Sequence, residues 1–269
     1  MMKSSGTLGI SVKRITYHVS RFTFFIFCLL FLANCRPEYT TWKRIEQTGV
    51  LRVGLDPTYP PFEVVDDSGL QGLDVDLAQA IAADLGLEAE FVYFGYDGLY
   101  DALATEQVDV LASALVIAPE RMRDFAYTEP YFNAGEILIV PQSETEIAGM
   151  KDLNGRTLAV ELGALGHVEA NTWAKRLSNL TILPLGSAAD AVTAVAQNQA
   201  GAALVDAISG QLALQEQPSL KRLPDPVTVE PFALVVRIDD ESLLEKLNES
   251  LENLSKSGQL QNIIDKWLG

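Results

Sequence analysis

Val50-Leu-Arg-Val-Gly-Leu55 runs directly into Asp56-Pro-Thr-Tyr-Pro-Pro61, and the reading of the fold starts there. The first six residues form an almost continuous apolar run, the pattern of a strand buried on both faces. The three prolines that follow stop it and force an extended turn. Beyond them Leu77, Ala80, Ile81 and Leu85 share one helical face, and Gly86 stands where a helix would end. Residues 87–93 alternate as a strand, Leu99, Ala102 and Leu103 mark a second helix, and residues 108–115 a third strand. The order is β-α-β-α-β.

The same layout recurs downstream without repeating the sequence. Strands are expected at 157–161, 180–185 and 202–205, with helices at 166–177 and 188–197 between them. Strands alternating with helices of this length predict an α/β protein whose parallel sheets are covered on both faces. In such sheets ligands lie at the carboxyl ends of strands, where loops lead into helices. Two units facing each other would enclose a cleft. Apolar stretches at 137–140 and 232–236 fall where the chain could cross between them. Leu243, Leu244, Leu247, Leu251 and Leu254 give the tail an amphipathic helix ended by Gly258, and a last short helix closes at Trp267.

Composition narrows the function. The chain of 269 residues is 48% hydrophobic and carries a formal charge of −16. Lys3, Lys13, Arg14 and Arg21 lie in the first 34 residues, which hold no acid, so the rest carries −20. A body this acidic repels phosphate backbones, which excludes nucleic acid as a partner. Two histidines, His18 and His167, and two cysteines, Cys28 and Cys35, are too few for a zinc cluster, a disulfide framework or most histidine-dependent catalysis. No metal and no cofactor are expected. His167 reads as a helix-surface residue.

The basic residues precede a short apolar run, Phe22 to Ala33, in the layout of an export signal. Leu32-Ala33-Asn34-Cys35 resembles a bacterial lipobox, with Asn34 where Gly, Ala or Ser is usual. The resemblance implies that Cys35 is lipidated and begins the mature chain; the alternative is an uncleaved signal anchor. Residues 1–34 are thus read as a signal peptide and 35–41 as a tether.

Leu51-Arg-Val-Gly-Leu-Asp-Pro-Thr-Tyr-Pro-Pro-Phe-Glu63 and Gly72-Leu-Asp-Val-Asp-Leu-Ala78 together resemble the opening of the solute-binding proteins of family 3, polar-amino-acid receptors of ABC importers. Pro119-Glu-Arg-Met-Arg-Asp-Phe-Ala-Tyr-Thr-Glu-Pro-Tyr131, Asp152-Leu-Asn-Gly-Arg156 and Lys266-Trp267 resemble later blocks. The resemblance implies a type II periplasmic binding protein fold, two α/β lobes that close on a ligand. Lobe 1 would comprise residues 42–136 plus 237–269 and lobe 2 residues 141–231, joined by hinge strands at about 136–141 and 232–237. The implied protein is no enzyme. It is a monomeric, lipid-anchored receptor on the periplasmic or cell-surface face of the cytoplasmic membrane, and it hands a polar amino acid to ABC permease subunits.

A free amino acid presents a carboxylate and an ammonium, and burying both requires opposite charges at fixed positions. The resemblance places Arg121 on the carboxylate, where a planar guanidinium pairs bidentately. Pro119-Glu120 before it would make a first helical turn. Asp206 matches the ammonium-binding aspartate and could equally cap the next helix. Tyr59 and Tyr96 match aromatic walls, with Phe62 supporting Tyr59; a core position is the other reading of Tyr96. Ser113 matches a position used through its backbone carbonyl, with Ala114 beside it.

Val116, Ala164 and Leu165 occupy matching positions that commonly carry hydroxyls, so those side-chain donors are gone. Asp56 and Glu161 match contacts to the ligand's side chain. With Asp206 they outnumber Arg121 and favour a basic amino acid; with Glu161 neutral, a polar ligand such as glutamine fits equally. The alternative function is a cleft dehydratase acting on a prephenate-like acid, with Glu161 as general acid. A sensor module of a signalling protein is a third reading.

Overall fold

The hydrophobic run that opens the domain does become a central strand, and what surrounds it follows from how its neighbours hold the loops at its end. The computed structural model describes Met1 and residues 40–269; the leader and Cys35 lie outside the described residues. The chain resumes in helix α1 (Thr41–Thr48), which buries Ile45 against the first lobe. Its Thr41 lies within the range read as tether. Strand β1 (Val50–Leu55) follows.

Where the prolines predicted only a turn, the chain adds a small antiparallel sheet of β2 (Thr58–Tyr59), β3 (Glu63–Asp66) and β4 (Gly69–Gln71). Helix α2 (Leu73–Asp84) then buries Leu73, Leu77 and Ile81. Gly72, at φ 143°, permits its start: a Cβ there would meet the Phe62 carbonyl at 2.0 Å. That close approach lets the Leu73 and Asp74 N–H groups donate to the carbonyls of Pro61 and Phe62, at 3.0 Å each. The loop carrying Tyr59 is thereby fixed to a helix.

Strand β5 (Glu88–Tyr93), helix α3 (Leu99–Ala104), strand β6 (Val110–Leu111) and strand β7 (Phe125–Tyr127) continue the first lobe. The chain leaves through β8 (Phe132–Asn133) and enters the second sheet as β9 (Glu136–Pro141). There follow β10 (Thr157–Glu161), α4 (Leu165–Ala174), β11 (Thr181–Leu185), α5 (Ala188–Ala196), β12 (Ala202–Asp206), α6 (Ala207–Gln215) and β13 (Leu220–Arg222). It returns through β14 (Pro231–Phe232) to β15 (Val235–Arg237), α7 (Glu241–Ser257) and α8 (Gln259–Leu268).

The two five-stranded sheets have the orders β5-β1-β6-β15-β7 and β11-β10-β12-β9-β13. In each, the strands of the β-α-β-α-β unit run parallel, and the strand from beyond the crossing joins antiparallel. Adjacent residues of β9 serve opposite faces: Ile137 and Ile139 join one core, Leu138 and Val140 the other. A strand covered on both sides reads as a continuous apolar run, which is how it looked in the sequence.

The connection between lobes is the ribbon β8–β14, with Phe132 opposite Phe232 and Asn133 opposite Pro231. The ranges 136–141 and 232–237 fall largely on β9 and β15, full members of the two sheets. Hydropathy marks a strand as buried without saying which sheet buries it. The final helices pack on α2, where Lys266 Nζ and Trp267 Nε1 donate to Asp76 Oδ2 at 2.6 and 2.7 Å. Two motifs far apart in sequence meet at that carboxylate.

Candidate functional site

The loop after β1 carries the first site residue. Asp56 accepts from Thr58 Oγ1 at 2.9 Å and from the Tyr96 N–H at 2.9 Å, while its own N–H donates to Ser113 Oγ at 3.0 Å. Both oxygens of the carboxylate are thus oriented before any ligand arrives. Tyr59 stacks on Phe62, with ring centroids 5.7 Å apart and planes at 13°. Phe62 is fully buried and meets Phe132 and Phe232 edge-on at 5.5 and 5.3 Å, so the wall rests on the crossing ribbon itself.

Beneath this wall lies a pair of carboxyl groups. Ser113 Oγ donates to Glu63 Oε1 at 2.6 Å, and the Ala114 N–H donates to Asp74 Oδ2 at 2.6 Å. The second bond holds Ala114 at φ 45°, a conformation that costs a non-glycine residue energy. Glu63 Oε2 and Asp74 Oδ1 have no other donor, and one proton between them satisfies both. Burial, then the charge of Asp74, pushes Glu63 far above the usual carboxylate range, so the pair keeps that proton at neutral pH. The Tyr131 hydroxyl, also buried, faces Asp74.

From the second lobe, β12 delivers Asp206. Its Oδ1 accepts from the Ser209 N–H at 2.8 Å, capping α6, and its side chain also lines the cleft. The helix-cap reading of this aspartate is met, and the residue stands where a ligand in the cavity would reach it. Directly opposite Asp206 in the antiparallel pairing stands Glu136, 5% exposed. Burial, then the charges of Asp206 and Glu230, pushes Glu136 up to about 7.

Between these elements lies a cavity of about 520 Å³, a common size for a small-molecule site. Of the residues expected from sequence, Asp56, Tyr59, Tyr96, Ser113, Ala114, Val116 and Asp206 line it. Arg121 does not; it lines an adjoining cavity of about 400 Å³ that shares Tyr96 and Val116. Its exposed guanidinium lies 4.0 Å from the centre of the Tyr100 ring. The expected helical turn before it is a single 3₁₀ turn, Pro119–Arg121, because the chain bends into β7 at once. Glu161 ends β10, Ala164 precedes α4 and Leu165, 65% exposed, begins it; none of the three lines either cavity.

Glu230 and Glu136 were missed by sequence reasoning. Glu230 lines the cavity, and its backbone is clamped to the crossing by Asn133 and Ala134. A signal existed: each glutamate stands at the head of an apolar crossing stretch, where a charge is out of place.

The profile of bacterial extracellular solute-binding proteins, family 3, matches residues 51–269. The chain belongs to this family. It is 30% identical over 231 residues to a probable amino-acid ABC transporter-binding protein of Haemophilus influenzae, covering 84% of this chain and 87% of that one. Among solved structures it is similar to the L-cystine solute receptor of Neisseria gonorrhoeae in its unliganded open conformation. That likeness has TM-score 0.74 and 26% identity, over 86% of this chain and 97% of the receptor. An ancestral cationic amino acid solute-binding protein is 31% identical with TM-score 0.61, over 86% of this chain and all of that one. As a family 3 member the chain is an extracytoplasmic solute-binding protein with the two-lobed type II periplasmic binding protein fold.

Proposed function

We propose that this solute-binding protein captures a cationic amino acid and presents it to an ABC permease, held to the membrane by a lipid on Cys35. One observation carries the ligand class. The charged side chains lining the cavity are Asp56, Glu63, Asp206 and Glu230, all acidic, and no described lysine or arginine joins them. With Glu63 holding a proton, three formal negative charges face the space. At about 4 Å and an effective dielectric near 20, one opposite charge is worth roughly 4 kcal/mol before desolvation. The likeness to an ancestral cationic amino acid binder supports the same class.

In this reading the ligand's ammonium seats on Asp206, its side-chain cation on Asp56, and Tyr59 and Tyr96 enclose the aliphatic part. Its carboxylate points to the rim, where Arg121 waits over Tyr100. Lobe closure brings the Glu161, Ala164 and Leu165 edge over the ligand, and contacts to both lobes favour the closed state that a permease recognises. The dehydratase alternative needs Glu161 as general acid, and Glu161 lies outside the cavity lining.

Calorimetric competition among arginine, lysine, glutamine and glutamate on the purified protein tests the ligand class. Arginine or lysine is expected to bind tightest; glutamate or aspartate binding tightest overturns the reading. The anchor rests on Leu32-Ala-Asn-Cys35, outside the described residues. Cys35→Ser is expected to abolish incorporation of a fatty-acid probe, and equal labelling of variant and wild type would rule the anchor out.

A further inference from the structure

Glu136 is placed as few carboxyl groups are. Its strand pairs antiparallel with β12, and its register partner is Asp206, so both side chains leave the sheet on the same face. Side chains so paired stand about 5 Å apart at Cβ, close enough for two like charges to repel strongly. Asp206 borders the cleft; Glu136 sits behind it, buried, with Oε2 lacking any hydrogen-bond partner. The backbone around it is fully used: its N–H donates to Thr228 Oγ1 at 2.8 Å, and its carbonyl accepts from Val227 at 2.7 Å.

The chain makes room for this acid. A Cβ on Gly166, in the first turn of α4, would lie 2.6 Å from Glu136 Oε2 and 2.8 Å from the Leu204 carbonyl. Any larger residue there would expel the carboxyl. The other charged groups acting on Glu136 come from three elements and are all acidic: Asp206 on β12, Glu230 before β14 and Glu161 at the end of β10. The Gly166 N–H works in the opposite direction. His167, next in α4, accepts the Gly163 N–H at Nδ1, 3.2 Å away. Burial and three neighbouring acids push this carboxyl toward its protonated form.

We propose that Glu136 is a positioning residue that acts through Asp206 and couples binding to pH: a ligand amino group seated on Asp206 displaces the proton that Glu136 holds, so the cleft exchanges a proton for a cation. The inference rests on the cationic-ligand reading above. The balance is simple, since one O–H bond of the Glu136 carboxyl breaks, the proton passes to solvent, and the carboxylate left behind adds its charge to the ligand's counter-ions. Linkage fixes the sign: if binding releases protons, affinity rises with pH across the range in which free Glu136 titrates. With that group lying near neutrality, about half a proton per ligand is expected to leave at pH 7.

The experiment is calorimetry of L-arginine binding to the full protein in buffers of different ionisation enthalpy, from pH 5.5 to 8.5. Wild type is expected to release protons and to bind about tenfold tighter at pH 8 than at pH 6. Glu136→Gln, which mimics the protonated acid, is expected to match wild type at pH 5.5, release no proton and stay flat with pH. Glu136→Asp is expected to restore part of the pH slope, which a merely structural role would not do. Arginine binding to wild type without proton release, or with release unchanged in Glu136→Gln, overturns this inference and leaves the ligand class standing. No binding of arginine or lysine at any pH overturns both.

Discussion

Each lobe sets a pair of acidic side chains near the cleft, and the two pairs are finished differently. In the first lobe Glu63 and Asp74 are closed in by Ser113, the Ala114 N–H and the Tyr131 hydroxyl. In the second, Asp206 opens on the cavity and Glu136 behind it has one oxygen without a partner. A buried acid pair that shares one proton is closed on itself, so it serves as a staple that fixes the 113–116 segment and the Tyr59 loop. A pair with an open edge can respond to a ligand. The same chemistry thus gives rigidity on one wall and responsiveness on the other, and the proton shared within the first pair separates the two.

The largest effect expected from breaking this contrast is on the staple. Asp74→Ala leaves the buried Ala114 N–H without an acceptor and removes the partner of the Glu63 proton. A loss of about 3 kcal/mol or more in unfolding free energy is expected, read by urea denaturation. A loss under about 1 kcal/mol would mean that the segment is held by packing alone. Next comes Asp206→Ala, which strikes the open pair. Binding is expected to weaken by at least about 2 kcal/mol, because the ligand ammonium loses its counter-charge. Stability is expected to fall by only about 1 kcal/mol, the cost of a lost helix cap. Equal losses in binding and stability would make this aspartate a cap and nothing more.

The smallest effect is a slope. Glu63 protonates more readily in the folded protein than in the unfolded chain. Its stabilisation is therefore complete below the ordinary glutamate range and declines as pH rises. One proton gives a slope of at most about 1.4 kcal/mol per pH unit, and the shared proton reduces it. Glu63→Gln is expected to flatten the fall in stability between pH 6 and 8 by roughly 1 kcal/mol while leaving proton release on ligand binding intact. Loss of that release in Glu63→Gln would show that the two pairs are coupled and not separate devices.

The sequence by itself determined the two β-α-β-α-β units. Strands buried on both faces and helices with one apolar stripe follow from local periodicity, and Pro, Gly and capping residues mark their ends. Asp56, Tyr59, Ser113 and Asp206 came from the family resemblance of their motifs, and the structure brings the four to one cavity. Tertiary structure alone decided what depends on register and crossing. Hydropathy could not assign β9 and β15 to their sheets, nor show that the ribbon between lobes is as short as β8 and β14. It could not set Glu136 opposite Asp206, since that pairing joins residues seventy positions apart in sequence through a hydrogen-bond ladder. Nor could it show that Gly166 is the gap a carboxyl group fills, because the atoms that would clash belong to other strands. Local pattern fixes which residues are buried; which charges meet depends on contacts between segments that the pattern does not encode.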